Sequence, residues 1–131
     1  MEETLYDGRG RPVAYTADDG EMSIYLWSGH AVAYISGENL YGWNGQHVGW
    51  FVNGVLYNRR GQRAGSVGSR CPYALYASTA KYAKFAKYAK YAKYAKYARH
   101  AASARPALSS AYSQEPFEDF LKSGAVGESS R

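Results

Sequence analysis

The sequence predicts a mainly β domain of four β-hairpin repeats, followed by a repetitive tail and a short C-terminal helix. One register recurs four times between residues 5 and 66: an apolar residue with Tyr, three residues, Gly, two residues, then two small or aliphatic residues. Turn-forming residues separate the runs about every eight residues, as in all-β folds. After residue 72 a strict three-residue repeat replaces this register.

Each copy of the register is predicted to form one hairpin, which makes eight short strands around a pseudo-fourfold axis. Its apolar and polar residues alternate in runs of four to six, the pattern of a half-buried strand. Asn44-Gly45 lies between the two runs of the third copy and predicts a type I′ turn, because both positions of that turn need positive φ. The copies begin at Leu5-Tyr6, Ile24-Tyr25, Leu40-Tyr41 and Leu56-Tyr57, and their glycines are Gly10, Gly29, Gly45 and Gly61.

One position of the register holds only small residues: Ala14, Ala33, Gly49 and Gly65. Repeats this short cannot bury a face alone, so four of them should pack around a shared axis. We hypothesise that the small position faces this axis, where only hydrogen or a methyl group fits; exposure of the position would contradict this. The alternative is that a small residue makes room for Tyr or Trp on a neighbouring strand.

The hairpin motifs also carry a resemblance to a known family. The shared Tyr…Gly…Val-Ala/Gly-aromatic pattern includes Tyr-Leu-Trp-Ser-Gly-His at 25–30 and Leu-Tyr-Gly-Trp-Asn-Gly-Gln-His at 40–47. Over residues 4–72 the chain resembles the bacterial 4-fold beta flower domain, which implies four hairpin petals and no assigned activity. That family's tails carry three-residue basic repeats and an acidic-aromatic end, as this chain does. The fourth copy departs from the pattern through its arginines and Ser66, so we expect a less well packed petal.

Composition divides the chain into a β domain (4–71), a repeat tail (72–107) and a C-terminal part (108–131). Residues 73–105 carry six Lys and two Arg without any acid, whereas the segments on both sides are slightly acidic. The net charge of +5 therefore belongs to the tail. Cys71 is the only cysteine, which excludes an internal disulfide, and we interpret it as a packing residue.

The tail has Ala at every third position from Ala74 to Ala107, around a near-perfect Lys-Tyr-Ala repeat. Flanking triplets keep Ala and change the other residues, which favours a structural constraint over DNA slippage. A period of three fits polyproline II, whereas Ala and Lys favour an α-helix. We expect an α-helix from about Tyr76 to Ala104, where no Pro or Gly occurs, with polyproline II as the alternative.

A polar linker over 108–113 precedes a predicted short acidic helix. Ser-Gln-Glu-Pro at 113–116 is typical of a helix start, and the helix should end near Gly124. Phe117, Phe120 and Leu121 form its apolar face. We expect this face to dock on the β domain or on the tail of the same chain, and docking on another protein is the alternative.

No catalytic constellation emerges from the sequence. His30 and His47 occupy different positions of the register, lack metal-ligand spacing, and are interpreted as solvated turn residues. No helix follows the short Gly-Arg-Gly-Arg run at 8–11, which excludes a phosphate loop. We therefore expect neither enzyme activity nor a cofactor or metal. The chain lacks a secretory signal and an apolar run of about 20 residues, so we expect a cytoplasmic protein without a transmembrane segment.

Two functions remain. The first is self-assembly into a homo-oligomer, with the tail packing against or between subunits, because Tyr rings bury much area at low entropic cost. The candidate assembly contacts are Tyr82, Phe85, Tyr88, Tyr91, Tyr94, Tyr97, Phe117, Phe120 and Leu121.

The second function is nonspecific binding of nucleic acid, another polyanion or an anionic membrane, since Lys neutralises phosphate and Tyr stacks on bases. If the meander closes, copies one and four become neighbours and gather their arginines on one anion-binding edge; ordinary solvated turns are the alternative. The candidate polyanion contacts are Arg9, Arg11, Arg59, Arg60, Arg63, Lys81, Lys84, Lys87, Lys90, Lys93, Lys96 and Arg99.

Overall fold

The computed structural model describes residues 3–17, 22–26, 29–70, 99, 101, 104–123 and 125. Each strand pairs antiparallel with the next one along the chain, and the last pairs with the first, so the eight strands form a closed barrel. This confirms the predicted mainly β fold of hairpins. The elements are β1 (Glu3–Tyr6), β2 (Pro12–Thr16), β3 (Ser23–Leu26), β4 (Ala31–Ser36), β5 (Asn39–Gly42), β6 (His47–Val52), β7 (Val55–Asn58), β8 (Arg63–Val67), a 3-10 helix (Gly68–Arg70) and α1 (Phe117–Lys122).

Four equivalent hairpins make up the barrel: petal 1 (β1–β2), petal 2 (β3–β4), petal 3 (β5–β6) and petal 4 (β7–β8). In every petal the aliphatic residue of the first strand pairs with the small residue of the second, and the register then shifts by one residue. The pairs are Leu5 with Ala14, Ile24 with Ala33, Leu40 with Gly49 and Leu56 with Gly65. Four petals therefore share one β-bulge at one position.

The bulge explains why the register contains two adjacent apolar residues, which simple strand alternation does not. An extra residue in the second strand has no partner on the first, so the alternation of faces is interrupted there. In all four petals this residue joins or packs against one hydrophobic cluster. The bulged residues are Val13, Val32, Val48 and Ala64.

The petal tips are three-residue loops. In petal 3, the Gly42 N–H donates to the Gln46 carbonyl oxygen (2.9 Å) and the Gly45 N–H to the Gly42 carbonyl oxygen (3.0 Å). Gly45 has a φ of 87°, whereas Asn44 does not have a positive φ. The predicted type I′ turn is therefore wrong, and the loop has the type I form closed by a left-handed glycine. Asn44 instead accepts the Gln46 N–H through its Oδ1 (3.0 Å), which holds it in an ordinary turn conformation.

Two-residue turns occur between petals instead. Asn53 and Gly54, between β6 and β7, have φ values of 52° and 82°, as a type I′ turn requires. Between β4 and β5, Gly37 has a φ of 64° and Glu38 does not have a positive φ, which fits a type II′ turn. The tight Asn-Gly turn thus connects petals 3 and 4 rather than forming a petal tip.

One hydrophobic cluster joins the four petals to α1. The aliphatic residues that open the petals (Leu5, Ile24, Leu40 and Leu56) are 0% exposed. Phe117, Phe120 and Leu121 belong to the same cluster and are at most 5% exposed. The expected docking of this helix on the β domain is confirmed, because its apolar face is buried inside the subunit.

The four small positions are all buried, so the exposure that would contradict the axis hypothesis is not observed. Ala14 and Ala33 lie in the hydrophobic cluster. A Cβ on Gly49 would overlap the Tyr57 carbonyl oxygen, and a Cβ on Gly65 would overlap the Phe117 ring. In petals 3 and 4 the small residue therefore makes room for a neighbouring backbone and for α1, rather than for Tyr or Trp on a strand.

The predicted linker is held against petal 4. The Arg63 N–H donates to the Ala111 carbonyl oxygen (2.9 Å), and the Ser113 N–H donates to the Arg63 carbonyl oxygen (2.8 Å). These bonds place Tyr112 in a parallel bridge with Arg63. We call residues 104–123 the C-terminal segment, because this part of the chain contacts the petal tips and then forms α1.

The tail is described only at its end. Arg99, Ala101 and Ala104 are not helical, so the predicted helix does not extend to Ala104. The remainder of that prediction, residues 76–98, lies outside the described residues, as does Cys71.

Candidate functional site

Aromatic side chains meet at three of the four junctions where one petal joins the next. In each petal Tyr follows the buried aliphatic residue, so it points to the opposite face of the strand, which we call the aromatic face. Three junctions pair two aromatic residues, and the closing junction pairs Tyr6 with Ser66. The three aromatic pairs are Tyr15 with Tyr25, Tyr34 with Tyr41, and Trp50 with Tyr57.

Two of these pairs have nearly the same ring geometry. The Tyr15 and Tyr25 rings are stacked with centroids 5.6 Å apart and planes at 12°, and the Tyr34 and Tyr41 rings are stacked at 5.7 Å and 22°. Trp43 packs edge-on against Tyr34 at 5.7 Å. All five rings belong to one buried cluster that extends across petals 1, 2 and 3.

Arg99 lies on one of these stacked pairs. Its guanidinium carbon is 4.8 Å from the Tyr41 ring centroid and 5.5 Å from that of Tyr34, within the range of a cation–π interaction. Its Nε donates to the Tyr34 hydroxyl (3.4 Å), and this hydrogen bond raises the pKa of Arg99. The predicted polyanion contact at Arg99 is thus engaged with the barrel of its own chain.

The arginines of petals 1 and 4 do not form one continuous edge. The petals are neighbours, as expected, but Tyr112 lies between their tips. A Cβ on Gly8 in petal 1 would lie 2.8 Å from the Tyr112 ring, and Tyr112 bridges Arg63 in petal 4. In these two petals Arg63 is half-buried, whereas Arg9, Arg11, Arg59 and Arg60 are exposed.

The exposed arginines of petals 1 and 4 line two different open cavities, one pair in each. A cavity of about 630 Å³ includes Arg59 and Arg60, and one of about 670 Å³ includes Arg9 and Arg11. Glu115 in the C-terminal segment lines both cavities. Each arginine pair therefore borders a cavity that also contains a carboxylate.

The two arginine-bearing tips are held by equivalent side chains. Asp7 Oδ1 accepts the N–H groups of Arg9 (2.9 Å) and Arg11 (3.0 Å). In petal 4, Asn58 Oδ1 accepts the Arg60 N–H (2.9 Å) and that of the residue two positions later (3.0 Å). The backbone of both tips is thereby fixed by side-chain hydrogen bonds.

His47 is a packed residue, so its interpretation as a solvated turn histidine is wrong. It is 4% exposed, and its ring lies 4.8 Å from the Trp50 ring and 5.3 Å from the Tyr41 ring. Burial lowers the pKa of His47, and the positive charge of Arg59 lowers it further. Pairing opposite Tyr41 within petal 3 places this side chain against the rings of Tyr41 and Trp50, which its position after the turn glycine did not reveal.

Within the part of the chain that the structure describes, no group of three or more His, Cys, Asp or Glu residues is arranged to hold a metal ion. In that same part, no helix is long and apolar enough to cross a membrane. The remaining candidate residues lie outside the described ranges: Lys81, Lys84, Lys87, Lys90, Lys93, Lys96, Tyr82, Phe85, Tyr88, Tyr91, Tyr94 and Tyr97.

The closed barrel, its four equivalent hairpins and its aromatic junctions define a small mainly β protein with internal fourfold repetition. The family model described as 4-fold beta flower protein matches residues 3–121, and the chain belongs to this family. The match extends beyond the expected residues 4–72 into α1, which agrees with the burial of α1 in the hydrophobic cluster. Comparison with the curated proteins and with the solved structures finds no match.

Proposed function

We propose that the chain is a non-enzymatic structural protein that self-assembles, with its three-residue repeat packing against or between subunits. One observation supports the packing of the repeat against a barrel. Arg99 continues the repeat position of Lys96, three residues earlier, and it lies on the paired rings of Tyr34 and Tyr41. We therefore infer that the aromatic face of the barrel binds cations of the repeat through cation–π contacts.

The apolar side chains of α1 and the strands of the barrel already make their contacts within the subunit, which favours the repeat as the surface for assembly. The apolar side chains of α1 are already buried against the petals, and the strands of the barrel are paired in a closed ring. The repeat itself brings six aromatic residues between positions 82 and 97. A large exposed aromatic surface is unfavourable on a monomer, and contact with another subunit would bury it.

Light scattering coupled to size exclusion tests assembly on the full chain. We expect a mass that is a multiple of 14.5 kDa, and a return to a single subunit when the six aromatic residues of the repeat are changed to Ser. Substitution is preferable to deletion, because the C-terminal segment must still reach petal 4. A wild-type chain that runs as a monomer at all concentrations would contradict self-assembly.

Polyanion binding is the second candidate, and the exposed arginines at the tips of petals 1 and 4 favour it. Binding to double-stranded DNA should weaken steeply as salt rises, because phosphate contacts release counterions. The Arg59→Ala/Arg60→Ala variant should bind less tightly and show a shallower salt dependence.

Arg105→Ala is the matched control for this second candidate. It removes the same kind of charge from an exposed residue that instead pairs with Glu38 (3.2 Å). If the double Arg variant and the control bind equally well, or if binding does not depend on salt, the arginine tips are not a polyanion site.

A further inference from the structure

We propose that Tyr15 and Tyr25 form a second cation-binding slot, occupied by a lysine of the same chain's repeat between Lys81 and Lys96. The inference rests on the tail-packing part of the proposed function and not on self-assembly. The slot would bind this lysine at the junction of petals 1 and 2, in the way that Tyr34 and Tyr41 bind Arg99 at the junction of petals 2 and 3.

The first argument is geometric equivalence. Tyr15 pairs with Tyr25 in the same relation in which Tyr34 pairs with Tyr41, at the junction one petal earlier. Both pairs are stacked, with centroid separations of 5.6 and 5.7 Å. A surface that takes a guanidinium at one junction is therefore reproduced at the other, and the Lys ammonium is attracted by the same ring faces.

The second argument is the path of the chain. The barrel ends in the 3-10 helix Gly68–Arg70, which contacts β1 at the junction of petals 4 and 1. Arg99 lies at the junction of petals 2 and 3, on the opposite side of a ring of four. A chain that follows the barrel wall between these two points crosses either the petal 1–2 junction or the petal 3–4 junction.

The aromatic cluster distinguishes the two routes. Tyr15 and Tyr25 belong to the same buried cluster as Tyr34 and Tyr41, whereas Trp50 and Tyr57 do not. A segment that crosses petals 1 and 2 thus meets one continuous aromatic surface up to Arg99. Tyr15 and Tyr25 are only 2% and 4% exposed, as expected of rings covered within the folded subunit.

Repeat spacing agrees with this placement. Neighbouring strands lie about 4.8 Å apart, so junctions two strands apart are separated by roughly 10 Å at the backbone. One triplet spans about 9 Å in polyproline II and about 4.5 Å in an α-helix. An extended repeat would present a lysine to each junction with every triplet. An α-helix rotates successive lysines by about 60° per triplet and would present only some of them to the barrel. Both conformations can supply a cation to the Tyr15–Tyr25 slot.

Ring-current shifts of lysine side chains test the inference in the full chain. With lysines carrying carbon-13 at Cε, at least one repeat lysine should have Hε signals upfield of those of Lys122. Lys122 is an internal reference because it lies on α1 and pairs with Glu118 (3.0 Å). Tyr25→Leu should return the shifted signal to the reference position, and Tyr25→Phe, which keeps the ring, should preserve it. Trp50→Leu is the matched control at the other route and should leave the shift unchanged.

Three results would overturn the inference: no shifted lysine in the wild type, a shift that survives Tyr25→Leu, or a shift lost only in Trp50→Leu. If Tyr25→Leu does not fold, single Lys→Gln changes test the same point in an intact barrel. One of them should remove the shifted signal, and the inference fails if none does. The positions are Lys81, Lys84, Lys87, Lys90, Lys93 and Lys96.

An experiment that mixes labelled and unlabelled chains distinguishes binding within one chain from binding between subunits. Labelled Tyr25→Leu chains are combined with unlabelled wild-type chains, and we expect no recovery of the shift. Recovery would mean that the repeat enters the slot of another subunit, which overturns the same-chain assignment. Light scattering on the wild-type sample tests self-assembly separately. A monomer that keeps the shifted lysine signal would contradict self-assembly and would leave the cation-binding slot supported.

Discussion

The ring of Phe117 occupies the space beside Gly65, the small residue of petal 4. In petals 1 and 2 the equivalent position carries the methyl group of Ala14 or Ala33. A Cβ on Gly65 would overlap the Phe117 ring, so α1 takes the place of a side chain at this petal. The missing side chain at Gly65 therefore makes room for the helix that completes the hydrophobic cluster.

Gly65→Ala should destabilise the chain by about 1–3 kcal/mol, because an added methyl group in a packed core forces its neighbours to move. The same change in a Phe117→Leu background should cost less, since the smaller side chain leaves room. Urea denaturation of the two single variants and the double variant measures the coupling. Equal costs in both backgrounds would show that the Phe117 ring does not restrict position 65.

Gly61→Ala should destabilise the chain more than Gly37→Ala. Both glycines have positive φ, 79° and 64°, so alanine is strained at either position. Only at Gly61 would the new Cβ also overlap the Ala107 carbonyl oxygen, whereas nothing lies within 4 Å of a Cβ at Gly37. The difference between the two unfolding free energies measures how closely the C-terminal segment packs on petal 4. Equal costs would contradict that contact.

Asp7→Ala should destabilise the tip of petal 1, because Asp7 Oδ1 accepts two backbone N–H groups. A lost hydrogen bond costs about 0.5–1.5 kcal/mol. Asp7→Asn should retain most of the stability, since Asn58 makes the same two bonds in petal 4. Thermal unfolding of the three proteins checks this, and equal melting temperatures for Asp7→Ala and wild type would refute it.

Stability should fall when the pH drops below about 6.5, the ordinary pKa of histidine. Burial lowers the pKa of His47 in the folded chain, so the unfolded chain binds a proton that the folded chain does not. The contribution is fully present above that pH and is lost as the pH falls through the folded pKa. Urea midpoints between about pH 7.5 and 5.5 should show this loss, and His47→Gln should reduce it.

One further variant controls this prediction. Arg59→Ala removes the charge that further lowers the pKa of His47, so it should make the loss smaller. A pH profile that is the same in wild type and His47→Gln would assign the dependence to other groups.

Much of the barrel could be predicted because its determinants are local and repeated. The turn glycines Gly10, Gly29, Gly45 and Gly61 all have the positive φ that their place in the register suggests. The size of the petal tips could not be predicted in the same way. The β-bulge next to each tip changes which residues pair, and the Asn44-Gly45 dipeptide does not reveal that shift.

The candidate site was predictable in its residue types but not in its arrangement. Arg99 and the arginines of the tips were recognisable as cations, and petals 1 and 4 were expected to be neighbours. Arg99 meets Tyr34 across 65 residues, and no local pattern encodes such a contact. In the same way, Tyr112 separates the arginine tips because the C-terminal segment returns to petal 4.

The sequence by itself determined the four hairpins, the glycines at their tips and the apolar face of α1, because each depends on backbone preference and short-range alternation. Only the tertiary structure decided that Phe117 fills the space beside Gly65, that His47 is buried, and that Arg99 lies on Tyr34 and Tyr41. These contacts depend on which surfaces remain uncovered when the barrel closes. That outcome depends on the packing of distant segments rather than on the preference of any one of them.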